Sequence, residues 1–212
     1  MARFLVVLDV DSTLIEDEVI ELLADVAGTR DAVAAVTARA MNGELDFAAS
    51  LRERVATLAG LPSSVFADAL SRVTVTRGVP ELIAGVHAAG GVVAVVSGGF
   101  HEIIDPLAAS LGLDRWRANR LEVRDGVLTG RVDGPIIDAR AKADALREWA
   151  READIPLTGT IAIGDGANDL EMMAVAALAI GFDAKAPVRD ACHVNLQERD
   201  LSAVLSVLGL RG

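Results

Sequence analysis

Two aspartates separated by a single residue, in Asp9-Val10-Asp11-Ser12-Thr13, follow directly on a short apolar run. Carboxylates this close repel each other, and a metal cation relieves the repulsion. A carboxylate is already ionised at neutral pH, so it can attack phosphorus without first losing a proton. An acidic loop, or a helix cap built on Asp11 and Ser12, would use the same residues. A second cluster, Val96-Ser97-Gly98-Gly99-Phe100, offers a hydroxyl and two residues that let backbone approach a ligand closely, which suits a phosphate. It would also serve as an ordinary strand-to-helix turn. The third, Gly164-Asp165-Gly166-Ala167-Asn168-Asp169, is more specific: its acidic side chains suit a hard, oxygen-seeking cation such as magnesium. Lys142 could offset charge on a phosphate, or be a solvated helix lysine.

These segments act together only if a fold gathers them. Residues 4–8 form an apolar run bounded by Arg3 and Asp9, the pattern of a strand buried on both faces in a parallel sheet. Similar runs at 92–96, 160–163 and 178–180 each end in Gly or polar residues, and the first two lead into helical spacing. The alternation predicts an α/β fold with a doubly wound parallel sheet, whose ligands sit beyond the carboxyl ends of its strands. All three clusters fall at such ends. Between residues 17 and 77, apolar residues recur at three- and four-residue spacing, broken at Gly28, at Asn42-Gly43 and at Gly60-Leu61-Pro62. The expectation is four helices forming a cap over 17–77, inserted into a core of 1–16 and 78–212, with hinges near 12–16 and 77–80. Asp125-Gly126 signals a β-hairpin across 119–132.

Composition narrows the function. The 212 residues suffice for one core with an elaboration, and 52% hydrophobic with 24% charged content is that of a globular protein. A net charge of −11 argues against nucleic acid as a partner, since that affinity needs a basic surface. The longest near-apolar run, 172–182, is shorter than the roughly 20 residues of a membrane span, so no membrane association is expected. A single cysteine, Cys192, fits a reducing cytoplasm. His87, His101 and His193 have no metal-ligand spacing.

The ordered motifs Asp9-Val10-Asp11-Ser12-Thr13, Ser97-Gly98-Gly99, Lys142 and Gly164-Asp165-Gly166-Ala167-Asn168-Asp169 resemble those of the haloacid dehalogenase (HAD) superfamily. Leu14-Ile15-Glu16-Asp17-Glu18, the segment from Phe47 through Arg54 to Val55, and Ala118-Asn119-Arg120-Leu121 are similar to its phosphoserine phosphatase branch. The resemblance covers the whole chain. It implies a HAD-like Rossmannoid core and hydrolysis of O-phospho-L-serine to L-serine and phosphate, the last step of serine biosynthesis. It implies Asp9 as nucleophile and Asp11 as general acid and base. Mg2+ would be bound by Asp9, the Asp11 backbone carbonyl and Asp165. Ser97, Gly98, Gly99 and Lys142 would hold the phosphoryl group, with Asn168 and Asp169 supporting the site. Glu18 would meet the substrate ammonium and Arg54 its carboxylate, so the partner is a small phosphorylated amino acid. Val10 stands where a larger apolar residue is common. Some members carry an amino-terminal regulatory domain, and strand one beginning at residue 3 or 4 leads us to expect none here. A related phosphatase or phosphotransferase acting on phosphohomoserine or phosphoethanolamine is the alternative reading, and a noncatalytic phosphate-binding protein is a further one. The intact set Asp9, Asp11, Lys142 and Asp165 weighs against the latter.

Overall fold

The computed structural model describes residues 2–41 and 44–210, so the break expected at Asn42-Gly43 lies outside the described residues. Strand β1 (Leu5–Leu8) is followed by a tight turn and then helices α1 (Val19–Ala27), α2 (Arg30–Met41), α3 (Phe47–Ala56) and α4 (Val65–Leu70). Alternation follows: α5 (Val79–Ala88), β2 (Val92–Phe100), α6 (His101–Leu111), β3 (Arg115–Arg124), β4 (Val127–Asp133), α7 (Ala139–Glu152) and β5 (Thr160–Gly164). The chain ends with α8 (Leu170–Val175), β6 (Leu178–Phe182), α9 (Ala186–Ala191), β7 (Val194–Leu196) and α10 (Ala203–Val207).

Among the described residues the strands form one seven-stranded sheet in the order β4-β3-β2-β1-β5-β6-β7. All neighbours run parallel except the β3–β4 edge pair. This is the doubly wound arrangement expected from the sequence. The centre explains why β1 has no polar residue: Val6 and Leu8 pack with α5 and α6 on one face, while Leu5 and Val7 pack with α7 and α8 on the other. All four are fully buried. Burying a side chain of this kind contributes about 1.5–3 kcal/mol, so a polar residue anywhere in β1 would forfeit one of the strongest terms in the core.

Two features differ from the sequence reading. The hairpin is not merely appended, because β3 begins at Arg115 and its first half pairs with β2, Ala94 opposite Arg115 and Val96 opposite Arg117. Arginines disguise that half; they pair with Glu152 and Glu148 of α7, and Arg117 also lies over the Trp149 ring. Strand β7 carries only Val-Asn-Leu, too short for a periodicity to register.

The two connections between β1 and the helical segment and back run side by side. Ile15 and Val75 form an antiparallel bridge, and Glu16 N–H and Thr76 N–H donate to the Thr74 and Leu14 carbonyls at 2.9 and 3.0 Å.

Candidate active site

Where β1 ends, Asp9 stops the strand and begins a turn through residues 10–14, with its Oδ1 accepting the Val10 N–H at 2.7 Å. Ser12 takes a left-handed backbone conformation, φ +57°, which an L-residue with a short polar side chain tolerates at some cost. The Ser12 hydroxyl donates to Glu18 Oε1 at 2.8 Å, and Asp11 Oδ1 accepts the Val19 N–H at 3.2 Å. Glu18 and Asp11 are therefore aligned by one turn and the start of α1.

Behind Asp9 lies Lys142, buried in full on the apolar face of α7 beside Leu146 and Trp149, where a core residue would ordinarily sit. Its Nζ is 2.8 Å from Asp9 Oδ1 and 2.8 Å from Asp169 Oδ1. Burial alone would pull the ammonium's pKa down, but Asp169 and Asp9 outweigh that and hold it above its ordinary value. Burial and the Asp9 charge push Asp169 up to about 7. One cation thus serves two enclosed carboxylates, and removing it would leave both uncompensated, a cost of about 3–5 kcal/mol. Gly164 permits the arrangement, since a Cβ there would run into the Asp169 carboxylate.

In front of Asp9 is a cavity of about 300 Å³. Its core wall is formed by Asp9, Asp11, Gly98, Gly99, Asp165 and Asn168; its opposite wall comes from the helical segment, with Glu18, Ile20, Phe47, Leu51 and Arg54. Ser97, Lys142 and Asp169 sit one layer beneath the wall, fully buried. Ser97 Oγ accepts the Gly99 N–H at 2.8 Å, which leaves the hydroxyl hydrogen free to donate. Asn168 Nδ2 lies 3.5 Å from Asp9 Oδ2.

Crowded carboxylates dominate the electrostatics. Asp11 keeps some surface toward the cavity yet is walled in by protein, and burial, then Glu18 and Asp9, raise its pKa well above the usual carboxylate range. Burial also raises Glu18, and it lowers Arg54, against which the charges of Glu18 and Asp11 act. Arg54 donates through Nε to the Ser50 carbonyl at 3.3 Å, which leaves its terminal nitrogens for a ligand.

Sequence reasoning overlooked one contributor, Lys185, and named another, Asn119, only within the segment 118–121, without a role. Lys185, just past the end of β6, lines the cavity and pairs with Asp165 Oδ2 at 2.9 Å. The rule that sites gather beyond strand ends, applied to the run at 178–180, would have found it. Asn119 is buried and clamps the Ser97-Gly98-Gly99 turn: its Nδ2 donates to the Gly98 carbonyl and its Oδ1 accepts the Ile137 N–H, both at 2.8 Å.

Carboxylate oxygens of Asp9, Asp165 and Asp169 lie within 4.8 Å of one another. Such an all-oxygen donor set, beside an Asp165 whose pKa burial raises, fits a hard divalent cation. Asp11 is not part of this group: its side chain turns to the Val19 N–H instead.

The family model of haloacid dehalogenase-like hydrolases matches residues 6–174. A phosphoserine phosphatase of Lactococcus lactis is 48% identical over 204 residues, 96% of this chain and 94% of that protein. One from Streptomyces coelicolor is 53% identical over 99% of this chain, which spans only 51% of that longer relative. Among solved structures, a phospho-aspartyl intermediate analogue of phosphoserine phosphatase superposes with a TM-score of 0.91 at 40% identity, covering 98% of this chain and 99% of that one. A substrate-bound phosphoserine phosphatase complex gives 0.92 at 40% identity, with the same coverage. The strand-end aspartates, the buried lysine between two carboxylates and these likenesses lead to one conclusion: the chain belongs to the haloacid dehalogenase-like hydrolase family.

Proposed function

We propose that this chain is a magnesium-dependent phosphoserine phosphatase that hydrolyses O-phospho-L-serine through an aspartyl-phosphate on Asp9. The observation that carries the reading is the cavity itself, with Asp9 and Asp11 on one wall and Glu18 and Arg54 on the other. A phosphate at the first pair and an ammonium with a carboxylate at the second describe a small phosphorylated amino acid. Residues 17–77 act as the cap that supplies substrate recognition, and 1–16 with 78–212 as the core that performs chemistry. The family, and the relatives named phosphoserine phosphatase, support the same assignment.

Asp9 attacks phosphorus while the bond from phosphorus to the serine oxygen breaks, and protonated Asp11 gives its proton to that oxygen. Water then adds to phosphorus, Asp11 takes the proton, and the Asp9–phosphorus bond breaks to release phosphate. The raised pKa of Asp11 suits it to begin as the acid. Ser97 donates its free hydroxyl hydrogen to a phosphoryl oxygen, the Gly98 and Gly99 backbone approaches the group, and Lys142 and Asn168 hold Asp9 and the phosphoryl group in place. Asp9, the Asp11 carbonyl oxygen and Asp165, with Asp169 in support, would hold Mg2+, which would supply positive charge to the phosphoryl oxygens. Closure of the cap keeps bulk water from the acyl phosphate.

Among the described residues no helix is long and apolar enough to cross a membrane. Cys192 forms no disulfide, in keeping with the cytoplasm as the working compartment.

Phosphate release with Mg2+ tests the reading, comparing O-phospho-L-serine with phosphohomoserine, phosphoethanolamine and p-nitrophenyl phosphate. Preference for phosphoserine is expected; equal rates across the panel would discard the roles of Glu18 and Arg54. Arg54→Ala refines the test. It is expected to raise KM for phosphoserine by about 30-fold or more, equivalent to the 2 kcal/mol or more lost when one partner of an enclosed charge pair is removed. KM for phosphoethanolamine, which lacks the carboxylate, should hardly change. Parallel increases on both esters would refute the pairing.

A further inference from the structure

After β7, residues 198–202 pass along the root of the paired connections that join the helical segment to the core. The Arg199 guanidinium reaches the first connection, its Nη2 donating to the Ser12 carbonyl at 3.3 Å. Its Nη1 donates to Asp183 Oδ2 at 3.1 Å, and its plane lies over the Phe182 ring, 5.5 Å from the centroid. On the second connection, Leu201 N–H donates to the Arg77 carbonyl at 2.8 Å, and the Arg77 side chain pairs with Glu198 and Asp200 at 2.8 and 2.9 Å. Gly78, at φ +82°, lies so close to this segment that a Cβ would strike Asp200 Oδ1 and the Ser202 nitrogen.

Ser12 is the sensitive contact. Its left-handed backbone sets the direction of the peptides on either side, it follows Asp11 directly, and its hydroxyl holds Glu18. A residue held in a sparsely populated conformation persists when its surroundings determine it, and Arg199 is the surrounding group that meets its carbonyl. The planar fork lets one side chain bridge Ser12 and Asp183, a geometry that a lysine ammonium cannot copy in full.

We propose that Arg199 is a positioning residue: by clasping the root of the two connections it holds Ser12, and through it aligns Asp11 and Glu18 with the core half of the site. The proposal rests on Asp11 acting as the acid and base.

The test uses the full chain as wild type, Arg199→Ala and Arg199→Lys. Its readouts are thermal stability, backbone hydrogen exchange, and kcat and KM for O-phospho-L-serine with Mg2+. Arg199→Ala is expected to lower kcat by about tenfold or more while KM stays within about threefold, since misplacing reacting groups acts on the transition state more than on binding. Exchange should quicken in residues 10–18 and 74–78 and not in β1 or α7. Arg199→Lys should recover part of the lost kcat. A kcat for Arg199→Ala within about twofold of wild type, or faster exchange spread evenly through the core, would overturn the proposal. If wild type fails to turn over phosphoserine, the substrate reading falls, while the exchange pattern of Arg199→Ala still decides the clasp.

Discussion

Asp9→Asn is expected to yield a folded protein whose turnover falls on the order of 10⁴-fold or more, the scale on which loss of a nucleophile acts. The amide matches the carboxylate in shape, so Val10 N–H and the Lys142 ammonium, both now on Asp9 Oδ1, can still meet a carbonyl oxygen there. Charge balance favours survival of the fold. Lys142 keeps Asp169 at 2.8 Å, and removing the Asp9 charge takes away one of the causes that push Asp169 up to about 7. Asp169 is then ionised more fully and becomes a better sole partner for the buried ammonium. The amide nitrogen has no lone pair free to attack phosphorus, so no aspartyl-phosphate forms. Phosphate release, melting temperature and intact mass after exposure to substrate check the three parts. Residual turnover above about 1% in a variant free of wild-type contamination, or a phosphate adduct in the variant, would place the nucleophile elsewhere.

The same local chemistry explains what the sequence made visible. The Asp9, Ser97 and Asp165 clusters could be read because each interrupts an apolar run that must be a central strand: β1, β2 and β5 are buried on both faces, so a charged or hydroxyl residue at their ends stands out. Lys142 was legible only through its place among the ordered motifs of the resemblance; alone it reads as a solvated helix lysine, and the fold is what sets it beside Leu146 and Trp149 on the buried face of α7. The first half of β3 was hidden because its arginines read as solvent residues, whereas Arg115 and Arg117 pair with Glu152 and Glu148 of α7, a fact about tertiary contact that periodicity does not carry. Arg199 was hidden more deeply. Its partner Ser12 lies 187 residues away, and nothing around it in the chain distinguishes it from an exposed loop arginine. Lys185 stood at the end of a strand that had been recognised, and only the loop beyond it went unread.

Asp11→Asn is expected to lower kcat on phosphoserine by about 10² to 10⁴, the usual range for general acid–base assistance, with a much smaller change in KM. The asparagine oxygen can still accept the Val19 N–H, so the turn should hold. The two half-reactions separate on changing the leaving group. Departure of a serine alkoxide needs a proton, whereas nitrophenolate leaves without one. Hydrolysis of the aspartyl-phosphate needs a base with either ester. With p-nitrophenyl phosphate the variant should therefore release about one equivalent of nitrophenol per site in a burst and then stall as the phosphoenzyme. The pH dependence has a definite sign. Burial, Glu18 and Asp9 raise the Asp11 pKa, and in the proposed scheme the protonated form begins the reaction. In wild type kcat/KM on phosphoserine should fall as pH rises through that raised value, because the acid is lost there, and the falling limb should vanish in Asp11→Asn. A variant that shows no burst with the aryl ester and keeps the limb would assign the proton transfer to another group. Within the cavity, Glu18 would be the first to examine, since burial raises its carboxyl as well.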